Sequence, residues 1–392
     1  MTTRYRYIPS RLSVIFPLLL AALLAGAAAR SGSVVPAEPQ VAGNEGYRQI
    51  WRGHAEAAVA SFEDALGADA AFPYRWSDLG DALLNAGRTD QAGYCFERAL
   101  VLAPHDPQIR LRAANFRFRV GDTGQALKLD SAVLSQVPDY DGAIFLYYLR
   151  LGGALDRVLD EGIGADPRAA AEFYRFLAAR DAAYADATWH WLEQRGFVTR
   201  SLAVERASWL LGKERPSEAS ALWLRYVSSG ARITDPGFEE KASGEAFGWH
   251  WDPSPGVEIA SDDRGAHSGR RSLRIRFDSA ENVDFHHVWQ NVWLIPGRYR
   301  LSAWIRTDGL TTDEGVGVRV GSAHTTALAG NNGWTEVAVE LTVPAARMAR
   351  VEVFREPSMK FESRPRGSVW IDDVGLRPSG AVPGLRPSGA VP

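Results

Sequence analysis

Trp76-Ser77-Asp78-Leu79-Gly80, continued by Gly87, Ala92, Phe96, Ala99 and Pro104, is the stretch that decides the fold. Gly80 and Ala92 are small where two helices must cross closely, and Trp76, Leu79 and Phe96 have the bulk to fill the gap between them. Gly87 supplies a positive-φ turn, and Pro104 stops the second helix. The pattern recurs on either side at a spacing of 34: Gly53, Gly87 and Gly121; Ala58, Ala92 and Ala126; Phe62 and Phe96; Ala70, Pro104 and Pro138. A period of that length marks helical hairpins stacked side by side.

On these residues the copy at 73–106 resembles the tetratricopeptide repeat. The flanking copies are degenerate: Asp130 stands at the aromatic position, Val133 at the alanine, and the first copy is expected to have a short leading helix. Beyond Asp139 the register fades. Amphipathic segments continue at 169–180, 182–195, 201–213 and 216–228, with Trp189, Trp191, Trp209 and Trp223 read as core. The resemblance implies a concave face for peptide segments, lined by Tyr74, Asp81, Asn85, Arg112, Asn115 and Arg119. Ordinary solvated polar residues are the alternative reading of that face.

After Gly230 the texture changes to short alternating runs at 272–277, 283–294, 299–306, 315–320, 335–343, 349–354 and 368–374, separated by glycine, proline and aspartate. That spacing predicts an antiparallel β-sandwich. The ordered succession Asp235-Pro236-Gly237-Phe238-Glu239, Gly248-Trp249, His267-Ser268-Gly269, Pro296-Gly297-x-Tyr299, Gly333-Trp334 and Ile371-Asp372-Asp373-Val374 resembles the calcium-containing jelly-roll carbohydrate-binding modules. The resemblance implies a structural calcium, with carboxylates from Glu239 and from Asp372 or Asp373 and carbonyl oxygens near Ser268. Solvated strand ends without metal are the alternative.

Strand parity sets Val288, Val292 and Leu294 on one face and Phe285, His287, Trp289 and Asn291 on the other. In the next run Tyr299, Leu301, Ala303 and Ile305 point inward, leaving Ser302, Trp304 and Arg306 outside. Taken as neighbouring strands, the two runs would gather His287, Trp289, Trp304 and Arg306 into one saccharide surface, indole faces meeting sugar CH groups. Packing beneath loops is the competing fate of both indoles. Trp249, Trp251 and Trp293 are secondary candidates, and Trp334 and Trp370 read as framework.

The whole chain of 392 residues is long enough for two folded domains. The expected plan is multidomain: an all-α tetratricopeptide-like solenoid over 45–230, then an all-β jelly-roll sandwich over 231–377. Residues 31–44 read as a linker, and 378–392 as a disordered tail because Gly375–Pro383 is repeated in 384–392. Arg4, Arg6 and Arg11 precede an apolar run at 12–29, so residues 1–30 read as a cleaved secretory signal or an uncleaved inner-membrane anchor. Either one implies a secreted or periplasmic protein.

A net charge of -3 offers no field for a phosphate backbone, so no nucleic-acid partner is expected. The single cysteine, Cys95, excludes a disulfide framework and reads as a small core residue. Metalloprotease, nucleophile-elbow and phosphate-loop motifs are absent from the sequence, so no enzyme is expected. The reading is a cell-envelope adaptor that docks a protein through its repeats and a polysaccharide through its β domain, with a role in surface polysaccharide export or assembly. The alternative is a pure assembly scaffold whose β domain no longer binds sugar.

Overall fold

The computed structural model describes residues 39–151, 155–279, 281–360 and 364–380. The leader at 12–29 and residues 381–392 of the duplicated tail lie outside them. The chain divides into two compact units, Met1–Phe197 and Val198–Pro392.

In the first unit the leading helices Pro39–Trp51 (α1), Pro73–Asn85 (α3) and Pro107–Arg119 (α5) are each 13 residues long. They alternate with Ala55–Ala68 (α2), Thr89–Leu102 (α4) and Thr123–Leu134 (α6). The prolines opening the leading helices repeat the 34-residue period, and proline in a first turn sacrifices no helical hydrogen bond. The first leading helix is thus full length rather than short, and it replaces the expected linker from Pro39 onward.

Close packing explains the glycines. A Cβ on Gly80 would lie 3.0 Å from the Phe96 ring, and one on Gly46 would lie 2.6 Å from the Phe62 ring. In the third copy the equivalent pair is Ala114 and Asp130. The added methyl takes room that a ring would use, and a shorter side chain stands opposite. Asp130 is buried all the same.

Beyond this register the unit continues with Asp141–Arg150 (α7), a short helix Leu155–Arg157 passing into a π-turn Val158–Ile163 (together α8), Pro167–Ala178 (α9) and Ala182–Arg195 (α10). Trp189 and Trp191 are buried, as their helical spacing implies.

The second unit opens with the hairpin Arg200–Gly212 (α11) and Pro216–Tyr226 (α12), which sequence spacing had assigned to the repeat domain. Trp223 is buried: its ring meets Phe247 edge-on at 5.8 Å, and its Nε1 donates to Thr234 Oγ1 at 2.7 Å.

Among the described residues ten strands follow: Trp249–Trp251 (β1), Val257–Asp262 (β2), Ser272–Asp278 (β3), Phe285–Leu294 (β4), Gly297–Leu310 (β5), Gly317–Val320 (β6), Ala323–His324 (β7), Gly330–Val343 (β8), Arg347–Arg355 (β9) and Arg366–Gly380 (β10). They form two five-stranded antiparallel sheets of a jelly-roll-type sandwich. Sheet A has the order β1-β4-β9-β6-β7 and sheet B the order β2-β3-β10-β5-β8. Residues 378–380 therefore finish β10 rather than starting a disordered tail. The inward rows, including Val288, Val292, Leu294, Leu301, Ala303 and Ile305, form one apolar core. Buried Gln290 shares that inward face. Its amide accepts from Thr234 N–H at 2.8 Å and donates to Thr234 O at 3.0 Å, tying the segment after α12 to β4.

Two parity expectations change. Phe285 is fully buried because the register shifts between Phe285 and Val288, and a bulge reverses side-chain direction. More consequentially, β4 and β5 are consecutive in sequence but lie in different sheets. Trp289 and His287 face outward from sheet A, whereas Trp304 and Arg306 face outward from sheet B. The single surface expected of these four residues does not form.

Candidate functional sites

On the leading helices, the network is built around Arg112 of α5. Its guanidinium bonds Asp81 through Nε at 3.0 Å and Nη2 at 2.7 Å, and Asp78 through Nη1 at 2.8 Å. Tyr47 of α1 donates to the same Asp78 at 2.5 Å. Three successive leading helices are thereby tied by side chains that sit one above another on stacked helices. Burial works against the Arg112 charge, but Asp81 and Asp78 outweigh it and raise its pKa. Desolvation raises the Asp81 pKa against the pull of Arg112.

Of the expected groove residues, Asp81 and Arg112 meet. Tyr74 instead donates to Asp106 at 2.7 Å, the residue that caps α5 through the N–H groups of Gln108 and Ile109. Asn85 and Arg119 are exposed and Asn115 half-buried, and among the described residues their side chains make no hydrogen bond. Tyr47 and Asp78 were missed; the 34-residue step from Asp78 to Arg112 was the signal that could have found the latter.

Sheet A presents a continuous outward row. His250, Trp289, Glu352, Arg319 and His324 are register partners across β1, β4, β9, β6 and β7. Trp289 stacks on His250 at 3.7 Å, nearly parallel, while the Arg350 guanidinium sits 3.8 Å from the ring centroid. Its Nε1 donates to Asp252 at 2.7 Å. A parallel stack at that distance leaves no room for Arg350 on the same side, so both indole faces are covered. Arg319 pairs with Glu352 and Glu356. His287 stacks on His286 at 4.9 Å because the β4 bulge turns adjacent residues to one side. Burial lowers the pKa of both His250 and His287.

Sheet B carries a different cluster. Trp304 stacks against His267 at 3.9 Å, and His267 also meets Trp334 edge-on at 5.7 Å. Arg306 lies 4.1 Å from the Trp370 ring centroid and 5.8 Å from that of Trp334. Trp334 and Trp370, read from sequence as framework, thus belong with Trp304 and Arg306. Trp370 Nε1 donates to Asp262 at 2.8 Å.

The carboxylates expected to hold calcium fasten the loop between β2 and β3. Glu239 Oε1 accepts from the Arg270 and Arg271 N–H groups at 2.7 and 3.1 Å, and the first of these bonds is the main cause of its lowered pKa. Asp372 Oδ2 accepts from the His267 and Ser268 N–H groups at 2.8 and 3.1 Å, and its Oδ1 from Asp373 N–H at 2.7 Å. Asp373 Oδ1 accepts from Ser268 Oγ at 2.7 Å, and its Oδ2 faces His267 Nδ1 at 2.7 Å. Calcium requires six to eight converging oxygens. Here N–H and hydroxyl donors from the loop meet the carboxylates. Among the described residues no group of three His, Cys, Asp or Glu could hold a metal ion. Nor is any helix among the described residues long and apolar enough to cross a membrane.

No protein-family model matches the chain, and no curated protein does. Among solved structures, the second TPR of Spaghetti (RPAP3) bound to the HSP90 peptide SRMEEVD is 18% identical, with a TM-score of 0.23, over 25% of this chain and 90% of that one. The Yersinia enterocolitica type III secretion translocator chaperone SycD is 18% identical, with a TM-score of 0.25, over 29% and 87% of the two chains. A CBM4 structure is 14% identical, with a TM-score of 0.27, over 37% of this chain and 99% of that one. At such scores the fold description rests on the chain's own helices, registers and burial: a tetratricopeptide-like solenoid followed by a jelly-roll sandwich.

Proposed function

We propose that the protein is a non-catalytic adaptor that holds a protein segment on its leading helices and a glycan on its sandwich. The carrying observation is the outward face of sheet B, where Trp304 and Trp334 stand beside Arg306 and other hydrogen-bonding side chains. That combination suits sugars, whose CH patches stack on aromatic rings while their hydroxyls need donors and acceptors. On the helices, the Asp78–Arg112–Asp81 network forms a fixed polar floor beside Asn85, Asn115 and Arg119, whose side chains remain available to peptide backbone and side-chain groups. The leader-like run at 12–29 supports a location outside the inner membrane, cleaved or anchored, and with it a role in surface polysaccharide export or assembly.

A second reading, a scaffold whose sandwich binds no sugar, is favoured by one observation: Trp289 has both faces and its N–H already engaged. Affinity electrophoresis of the full chain through gels containing neutral or acidic polysaccharides decides between them. Retardation that Trp304→Ala weakens supports the glycan reading. Passage through every gel unretarded leaves only the scaffold.

A further inference from the structure

We infer that the outer face of sheet B is a site for the carboxylate of an acidic saccharide, with Arg306 as the anion-binding group. This rests on the glycan reading above and names its ligand class and its face. Three cations of the same sheet are engaged: Arg274 pairs with Glu258 at 2.6 Å, Arg276 reaches the same carboxylate at 4.0 Å, and Arg300 pairs with Glu336 at 3.2 Å. Arg306 differs. Among the described residues its guanidinium makes no ion pair and no hydrogen bond; it contacts the Trp370 and Trp334 rings and lies beside Gly265, where a Cβ would come within 3.0 Å of Nη1.

The nearby acids do not pair with it. Asp262 takes the Trp370 N–H and Asp373 takes Ser268 and His267, while exposed Asp308, two residues along β5, forms no ion pair with it.

A guanidinium carries five N–H donors in a planar fork that matches a carboxylate. Ring contacts hold its plane without using those in-plane donors. The same face supplies stacking surface and further donors, since the indole N–H groups of half-buried Trp304 and Trp334 also make no hydrogen bond among the described residues. On sheet A the opposite holds, because Trp289 is covered and Arg319 is paired with two carboxylates. A uronate fits sheet B: its ring stacks on indole and its carboxylate meets Arg306.

The test is affinity electrophoresis and calorimetry of the full chain with polygalacturonate and with a neutral glucan. The expected result is retention by polygalacturonate alone, weakened about tenfold or more by Arg306→Gln and less by Arg306→Lys, which keeps charge but loses the fork. Trp334→Ala should weaken it too, while Arg270→Gln, on the nearby exposed loop, should not. An unchanged thermal midpoint in each variant shows that the fold survives. Equal retention by the neutral glucan with Arg306→Gln silent overturns the acidic site and leaves the glycan reading standing. Equal loss in Arg270→Gln reduces the effect to general charge attraction and overturns the site. No retention by either polymer overturns both readings.

Discussion

Asp130 in the solenoid and Asp372 in the sandwich are both hidden, at 4% and 0% exposure, and burial raises the pKa of each. They are supported very differently. Asp372 accepts three backbone N–H bonds and in return fixes the loop that lays His267 against Trp304. Asp130 has Tyr148 beside it, whose pull does not offset desolvation, and its pKa is pushed up to about 8. A buried carboxylate costs stability unless donors converge on it, and the same residue type organises a surface where they do.

The largest test of that contrast is Asp372→Asn. Both carboxylate oxygens are in use, so whichever way the amide turns, an NH2 faces an N–H donor. We expect a loss of about 3 kcal/mol in the sandwich transition on chemical denaturation, with faster amide exchange at His267 and Ser268. A neutral result would mean that the loop is held without this residue.

Asp130→Asn should act in the other direction. The unfolded aspartate titrates near ~3.9 and the folded one at about 8. Between those values the folded state keeps a proton that the unfolded state has lost. Solenoid stability therefore falls as pH rises through this window and levels off above it. The asparagine variant should lose that slope and gain on the order of 2 kcal/mol at pH 9, read from thermal midpoints at a series of pH values. Parallel pH profiles for the two proteins would break the comparison.

A smaller effect is expected of Trp223→Phe, which keeps the ring contact with Phe247 but loses the bond to Thr234. About 1 kcal/mol should disappear from the second unit, measured by urea denaturation followed through the remaining indoles. The smallest effect concerns calcium. Since protein donors already meet Glu239, Asp372 and Asp373, adding EDTA or calcium should move the thermal midpoint by less than about 1 °C, compared with the ~4 °C that 1 kcal/mol produces in domains of this size. A larger rise with calcium would show that the carboxylates reorganise around the ion.

Much of the architecture was legible because it repeats. Helical period, the 34-residue step and strand alternation are local properties of the chain, and they located the repeat at 73–106, the helices from α9 to α12 and most strands to within a few residues. Legibility failed where a partner decided the outcome. Pro39 reads as a linker residue until α1 is seen against Phe62 through Gly46. The short strands β1 and β7, of three and two residues, carry too few alternating residues to stand out. Phe285 reads as outward until the bulge after it is known. Of the four residues expected to share a saccharide surface, Trp304 and Arg306 do lie on one face, but their neighbours there, Trp334, Trp370 and His267, come from distant segments.

By itself the sequence determined a helical solenoid, then a sandwich, and which face of most strands is apolar, because side-chain periodicity follows from backbone geometry. Only the tertiary structure decided which outward residues are neighbours. Consecutive strands of a sandwich are free to join different sheets, and no local pattern records that choice. The sheet assignment separated Trp289 from Trp304, closed one indole beneath histidine and arginine, and left the Arg306 guanidinium with its donors unspent.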